Sequence, residues 1–304
     1  MSSRLAMEIA GLKLANPTML AAGILGLSGS LLKEIASAGV GAVVTKSIGS
    51  KPRSGYPNPT IVQVDCGLLN AMGLPNPSIH QFAKEITEAK TVGVPLIVSI
   101  YGFSLEEFAD VASYAVKAGA DALELNVSCP HVEKTGSEIG QDPQLVREVV
   151  EAVKKRVEEP VFVKLTPNVD DMVEVAKAAV EGGADAITAI NTVRAMAINI
   201  ETAHPILANK IGGLSGPAIK PIAVRCVYEI YREVDVPVVG CGGVATWRDA
   251  VEFMLAGASA VQVGTAIAFR GLKVFNSINR GINLYLGKRG FRSVKDIVGL
   301  AHKC

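Results

Sequence analysis

Like charge is nowhere concentrated in this chain of 304 residues. Its 30 Lys and Arg stand against 29 Asp and Glu, so the net charge is +1 with no basic or acidic block. A nucleic-acid binder ordinarily carries such a block, and that class is set aside. Cysteine is scarce and unpatterned. Cys66, Cys129, Cys226, Cys241 and Cys304 include no C-x-x-C pair, which argues against a zinc or iron–sulfur site within the chain, so no metal is expected. An odd count without framework spacing fits reduced thiols and a cytoplasmic location. Long apolar runs are also missing: Gly, Ser, Asn or Pro interrupts each one well short of a membrane span. The opening "MSSRLAMEIAGLKLANP" has no basic segment leading into a continuous apolar core, as a secretory signal would. Hydrophobic residues still make up 49% of the chain, so they belong to a large buried core.

What is present repeats. "SAGVGAVVT" ends at Thr45, "KAGADALELN" at Asn126, "EGGADAITAIN" at Asn191 and "LAGASAVQVGT" at Thr265. Each combines a helix-like approach, a glycine suited to close the helix (Gly39, Gly119, Gly183, Gly257) and a short buried strand. The intervals between copies each hold two strand–helix units of about 35 residues. Thr18–Ala22, Leu96–Ile100, Val161–Lys164 and Val238–Gly240 supply the other four strands. Amphipathic stretches such as Leu105–Lys117, Pro143–Val157 and Asp171–Val180 lie between them. Strands that are apolar throughout and alternate with helices make a parallel sheet. Eight units in one domain, residues 1–304, predict a (β/α)8 TIM barrel. A doubly wound sheet is the rival, but no glycine-rich dinucleotide turn follows the first strand. Two intervals, Gly49–Leu74 and Val193–Gly216, follow strand C-termini and are too long for bare loops. They read as lids or binding loops over the face where barrels build their sites.

Polar side chains gather at the expected strand ends: Lys46, Asn126, Cys129, Lys164, Asn191 and Thr192. The last two strands end in "GCGGV" and "VGTA", each before a helix start, where backbone N–H groups suit a phosphate. Taken singly, each glycine cluster more often means only a tight turn; together at these two positions they favour the phosphate. Lys46 and Lys164 each directly follow apolar residues, which favours an anionic ligand over a solvated surface; a flavin, whose N1–C2 edge gains negative charge on reduction, fits. Cys129 has three readings. It is inert packing, or a nucleophile paired with His131, or a general acid–base facing a substrate. A thiol with an ordinary pKa near ~8.5 needs only modest tuning for the last role.

"LELNVSCPHV", "NAMGLPNPS", "GGLSGPAIKPIAVR" and "VVGCGGVATWRDAVEFMLAGASAVQVGTA" resemble the flavin-dependent dihydroorotate dehydrogenases of pyrimidine synthesis, over nearly the whole chain. Cysteine rather than serine after the fourth strand resembles class 1, and "NAMGL" is most like class 1B, the NAD-linked catalytic subunit. The resemblance implies FMN in this chain and Cys129 as catalytic base. It implies substrate contacts at Lys46, the segment Asn70, Ala71, Met72, Gly73 and Leu74, and at Asn126, Asn191 and Thr192. Flavin contacts are implied at Ala22, Lys46, Ser47, Ser99, Asn126, Lys164, Ile190, Gly216, Gly242, Gly243, Gly264 and Thr265. It further implies a partner subunit carrying FAD and a 2Fe-2S cluster, and a homodimer of catalytic chains within a heterotetramer. Ala22 stands where many relatives have Ser, Ser99 where many have Asn, and His131 where Asn is common. Competing readings are a fumarate-linked class 1A enzyme, another FMN barrel acting on dihydropyrimidines or on dihydrouridine in tRNA, and a non-catalytic phosphate-binding barrel. The balanced charge argues against tRNA. The non-catalytic barrel leaves Cys129 and Asn70 without work.

Overall fold

A computed structural model describes residues 4–128 and 139–303. Eight parallel strands run β1 Thr18–Leu20, β2 Val43–Val44, β3 Leu96–Ile100, β4 Ala122–Asn126, β5 Val161–Leu165, β6 Ala186–Ala189, β7 Val238–Cys241 and β8 Ala258–Val263. Their spatial order is β1-β8-β7-β6-β5-β4-β3-β2, so each strand lies beside its sequence neighbour. β2 returns to β1 through a parallel bridge between Met19 and Ala42, with Leu20 N donating to Ala42 O at 3.1 Å and Gly41 N to Thr18 O at 2.7 Å. The sheet therefore closes on itself as the expected TIM barrel.

Helices alternate with the strands: α1 Gly29–Ser37, α2 Ile79–Ala89, α3 Leu105–Ala118, α4 Pro143–Lys154, α5 Met172–Glu181, α6 Lys220–Tyr231 and α7 Trp247–Ala256. After β8 come the short α8 Ala266–Arg270 and the longer α9 Lys273–Arg289. Their starts are written locally. Ser104, Asp142 and Asp171 each accept from a backbone N–H of the first turn, and Thr246 with Asp249 forms a capping box. Gly119 and Gly257 close α3 and α7, while Gly39 and Gly183 follow the caps of α1 and α5. Between helices and strands lies a core of fully buried Leu, Ile, Val and Phe, including Phe108, Phe162, Phe253 and Phe275. Each such side chain contributes roughly 1.5–3 kcal/mol by leaving water.

The two long intervals do not form separate loops. Ile61–Val64 and Gly67–Asn70 from the first pair with Val193–Met196 and Ile211–Ser215 from the second in one antiparallel sheet. The central pairing is Gly213↔Asn70, Leu214↔Leu69 and Ser215↔Leu68. Gly67 allows it: a Cβ there would sit 1.9 Å from Ser215 O, so any side chain would push the strands apart. No helix among the described residues is long and apolar enough to cross a membrane.

Candidate active site

The strand C-termini and the four-stranded lid enclose a cavity of about 770 Å³. That size lies within the usual range for small-molecule and cofactor sites. Its walls bring together side chains distant in sequence. Lys46 and Ser47 follow β2, Asn126 ends β4, Lys164 lies in β5, and Ile190, Asn191 and Thr192 follow β6. Ala22, Gly216, Gly242, Gly243, Gly264 and Thr265 line it too, and the lid contributes Asn70, Met72, Gly73 and Leu74.

Two expected contacts fall elsewhere. Ser99 is 0% exposed and sits behind the wall, where its hydroxyl bonds to Ser47 Oγ at 2.9 Å. Ser99 does not line the cavity, and its hydroxyl supports Ser47 instead. Ala71 is not among the residues that line the cavity, and its backbone N donates to Thr60 O at 2.8 Å. Cys129, with Pro130 and His131, lies outside the described residues.

One wall is a relay of short polar side chains. Asn126 Nδ2 donates to Ser47 Oγ at 3.1 Å, and Asn191 Nδ2 donates to Asn126 Oδ1 at 3.2 Å. Thr192 N donates to Asn191 Oδ1 at 2.8 Å, fixing which way that amide faces. Asn70 is held at the lid edge by its Nδ2 donating to Gly213 O at 3.1 Å. These bonds hold the amides in place before a ligand arrives, so little ordering entropy remains to be lost on binding.

The floor is ionic. Lys164, 4% exposed, donates to Gln262 Oε1 at 2.8 Å and lies 3.7 Å from Glu124 Oε1. Gln262 Nε2 donates to Glu124 Oε2, which also accepts from Thr188 Oγ1 at 3.2 Å. Burial by itself disfavours the ammonium, but the Cys241 thiolate, which forms only at alkaline pH, and the Glu124 carboxylate outweigh it and hold Lys164 above the ordinary lysine value. Cys241 lines the cavity beside that lysine; burial pushes its thiol up, and Lys164 offsets this only in part. At neutral pH the floor therefore holds a charged lysine and a protonated thiol. Among the described residues, no cluster of three or more His, Cys, Asp or Glu is placed to hold a metal ion.

At the end of the cavity near β7 and β8 the wall is mostly backbone. Gly243 has φ +76°, and a Cβ on it would fall 2.8 Å from Gly216 O. Three loops, at Gly216, Gly242–Gly243 and Gly264–Thr265, meet there, and Thr265 Oγ1 donates to Ser215 Oγ at 2.8 Å.

A family model described as dihydroorotate dehydrogenase matches residues 4–286. The chain belongs to the dihydroorotate dehydrogenase family. Within it, the chain is 54% identical over 293 residues to a Methanocella arvoryzae protein named dihydroorotate dehydrogenase B (NAD(+)), catalytic subunit, covering 96% of each. A Pyrococcus horikoshii protein of the same name is 53% identical, covering 98% of each chain. A crystal structure of the Eimeria tenella enzyme DHODH in complex with ferulenol superposes with a TM-score of 0.86 at 24% identity, over 99% of this chain and 89% of that one, and shares its fold.

Sequence reading overlooked Glu124 and Gln262, and assigned no role to Cys241. A carboxylate inside the apolar run "LELN" was the available signal for Glu124. The raised thiol has a measurable consequence. In the flavin-free chain at pH 8, iodoacetamide should label exposed Cys66 at least about tenfold faster than Cys241, because alkylation needs the thiolate. Peptide mass spectrometry gives both rates, and equal rates would contradict the protonated floor.

Proposed function

We propose that this chain oxidises dihydroorotate to orotate with FMN bound in the cavity, the electrons passing on to NAD through a partner subunit. The observation that carries this reading is one cavity in which three backbone loops close one end, a buried lysine forms the floor and a chain of amides forms a wall. Those features fit FMN. Backbone loops admit a phosphate closely, and a buried cation suits the flavin edge that becomes anionic. Gly216, Gly242, Gly243, Gly264 and Thr265 would hold the phosphate end. Ala22, Lys46, Ser47, Asn126, Lys164 and Ile190 would face the ring, with Ser99 bracing Ser47. FMN, when bound, supplies the acceptor for the hydride leaving substrate C6.

The chain's own residues do the rest. Asn70, Asn126, Asn191 and Thr192 hold the polar edges of the substrate, with Met72, Gly73 and Leu74 covering it, and Lys46 balances its carboxylate. Cys129, three residues beyond Asn126 in sequence, takes the C5 proton as base. The lid excludes water from the reacting atoms.

Two substitutions test this. Gly243→Val forces a side chain onto a left-handed backbone position against Gly216 O, so the loop must shift. FMN affinity should fall at least about tenfold, or ~1.4 kcal/mol, in a fluorescence titration. Unchanged affinity would remove the loop from the site. Cys129→Ala should keep FMN but slow single-turnover flavin reduction by dihydroorotate by roughly two to four orders of magnitude. A near-normal rate would exclude Cys129 as the base.

The relatives' names describe a catalytic subunit, and NAD linkage is read here as the work of a second chain carrying FAD and a 2Fe-2S cluster, docked on a dimer of catalytic chains. The purified chain alone should pass electrons from dihydroorotate to an artificial dye yet reduce NAD negligibly; adding the partner should restore NAD reduction. Fast turnover with fumarate would point instead to class 1A chemistry.

A further inference from the structure

Glu124 is fully buried in the middle of β4. Its partner Gln262 is on β8, and three strands separate the two in the barrel order. Lys164 on β5 likewise meets Gln262 across strands that are not neighbours. These contacts are possible only through the barrel interior, directly beneath the cavity. We propose that Glu124 is a positioning residue for the reaction: it supplies the buried negative charge that keeps Lys164 cationic, and it aims that lysine through Gln262 at the ligand on the cavity floor.

The hydrogen-bond pattern carries the argument. Gln262 is used at both ends: its oxygen accepts from Lys164 and its nitrogen donates to Glu124. A reversed amide would set donor against donor at the lysine, so the lysine fixes the amide orientation. Glu124 Oε2 takes both hydrogen bonds, from Gln262 and Thr188. Glu124 Oε1 has no hydrogen-bond partner among the described residues, and it is the atom 3.7 Å from Lys164 Nζ. That oxygen faces the ammonium as a bare charge.

An ammonium this buried sheds its proton unless an anion balances it. Among the described residues, the groups facing it from other strands are Glu124 on β4, Cys241 on β7 and Gln262 on β8, with the Thr188 hydroxyl on β6 bonded to Glu124. Cys241 is a protonated thiol at neutral pH, and Thr188 and Gln262 are neutral. Lys46, Arg53, Asp65 and Arg270 line the same cavity. Glu124 is therefore the balancing charge. The pair is neutral as a whole, so a carboxylate beneath the floor does not repel an electron-rich ligand, while the ammonium offers it a charged donor. The ligand class is a planar ring with an acceptor edge that gains negative charge. This rests on the reading of Lys164 as a flavin contact, although the charge balance itself needs no flavin.

Glu124→Gln keeps the shape and an acceptor for Gln262 but removes the charge. The Nζ of Lys164 is followed by 15N NMR in the full chain freed of FMN, its signal assigned by its loss in Lys164→Met. In Glu124→Gln that lysine should titrate at least about one pH unit lower than in wild type, a tenfold loss of proton affinity. With FMN restored, the flavin midpoint potential should shift while FMN stays bound. A residue that only packs would move neither quantity, and an unchanged lysine titration overturns the proposal. If Glu124→Gln does not fold, the double variant Glu124→Gln/Lys164→Met decides. Recovered folding supports charge balance, and continued failure to fold overturns it in favour of a packing role. Wild-type chain that fails to bind FMN would defeat the flavin reading and leave the lysine titration standing.

Discussion

Closure of the sheet is the constraint from which the rest of the molecule follows. A parallel sheet cannot expose an edge without leaving a row of unpaired backbone groups. Here the gap between β1 and β2 is closed by the single bridge Met19↔Ala42 and the two hydrogen bonds beside it. β2 spans only two residues, yet it pairs with β3 on one side and meets β1 through Ala42 on the other. Closure makes the interior a space that side chains must fill. It also sends every strand C-terminus to one rim, so residues from eight parts of the chain converge without any of them being near another in sequence.

What fills the interior changes along the barrel axis. Apolar packing gives way near the rim to Glu124, Lys164, Thr188 and Gln262, all buried. Each has a partner in the cluster, which is the condition for burying polar groups without a large penalty. This layer stabilises the fold less than apolar side chains of equal volume would, and it replaces a greasy floor with a charged one. The amide and hydroxyl relay from Ser99 through Ser47 and Asn126 to Asn191 stands above it. The site is thus a continuation of the barrel's own hydrogen bonding, and it is rigid for the same reason the barrel is.

The lid works differently. Neither insertion has enough residues to bury a core of its own. Joined through Gly67–Asn70 and Ile211–Ser215, they share a sheet in which Leu69 is buried, and Leu207 is buried beside it. The hairpin Ile198–Asn199 with His204–Pro205 projects beyond it, where Ile200 is 86% exposed. Because Asn70 is hydrogen-bonded to Gly213, one insertion positions a ligand-facing side chain of the other.

The eight strands were legible in the sequence because their signals are local. An apolar run of four to six residues, a glycine that ends the helix before it and a capping Ser, Asp or Thr each act within one turn of chain. Leu96–Ile100 agrees at both ends, and Val161–Lys164 differs from the observed strand by one residue. Most of the polar residues that line the cavity were legible for the same reason, since a polar side chain that ends an apolar strand in a barrel stands at the rim. Family motifs extended this to Asn70 and Met72, which no periodicity marks. Three things were decided only by the tertiary structure. Ser99 was expected at the ligand but lies behind Ser47, a choice set by which strand β3 stands beside. The lid was expected as two loops and is one sheet, because pairing between Leu69 and Leu214 depends on the barrel bringing the loops together. The Glu124–Gln262–Lys164 cluster was not foreseen. Residues in strands β4, β5 and β8 meet only once the cylinder has closed, and no local pattern encodes a contact made across its interior.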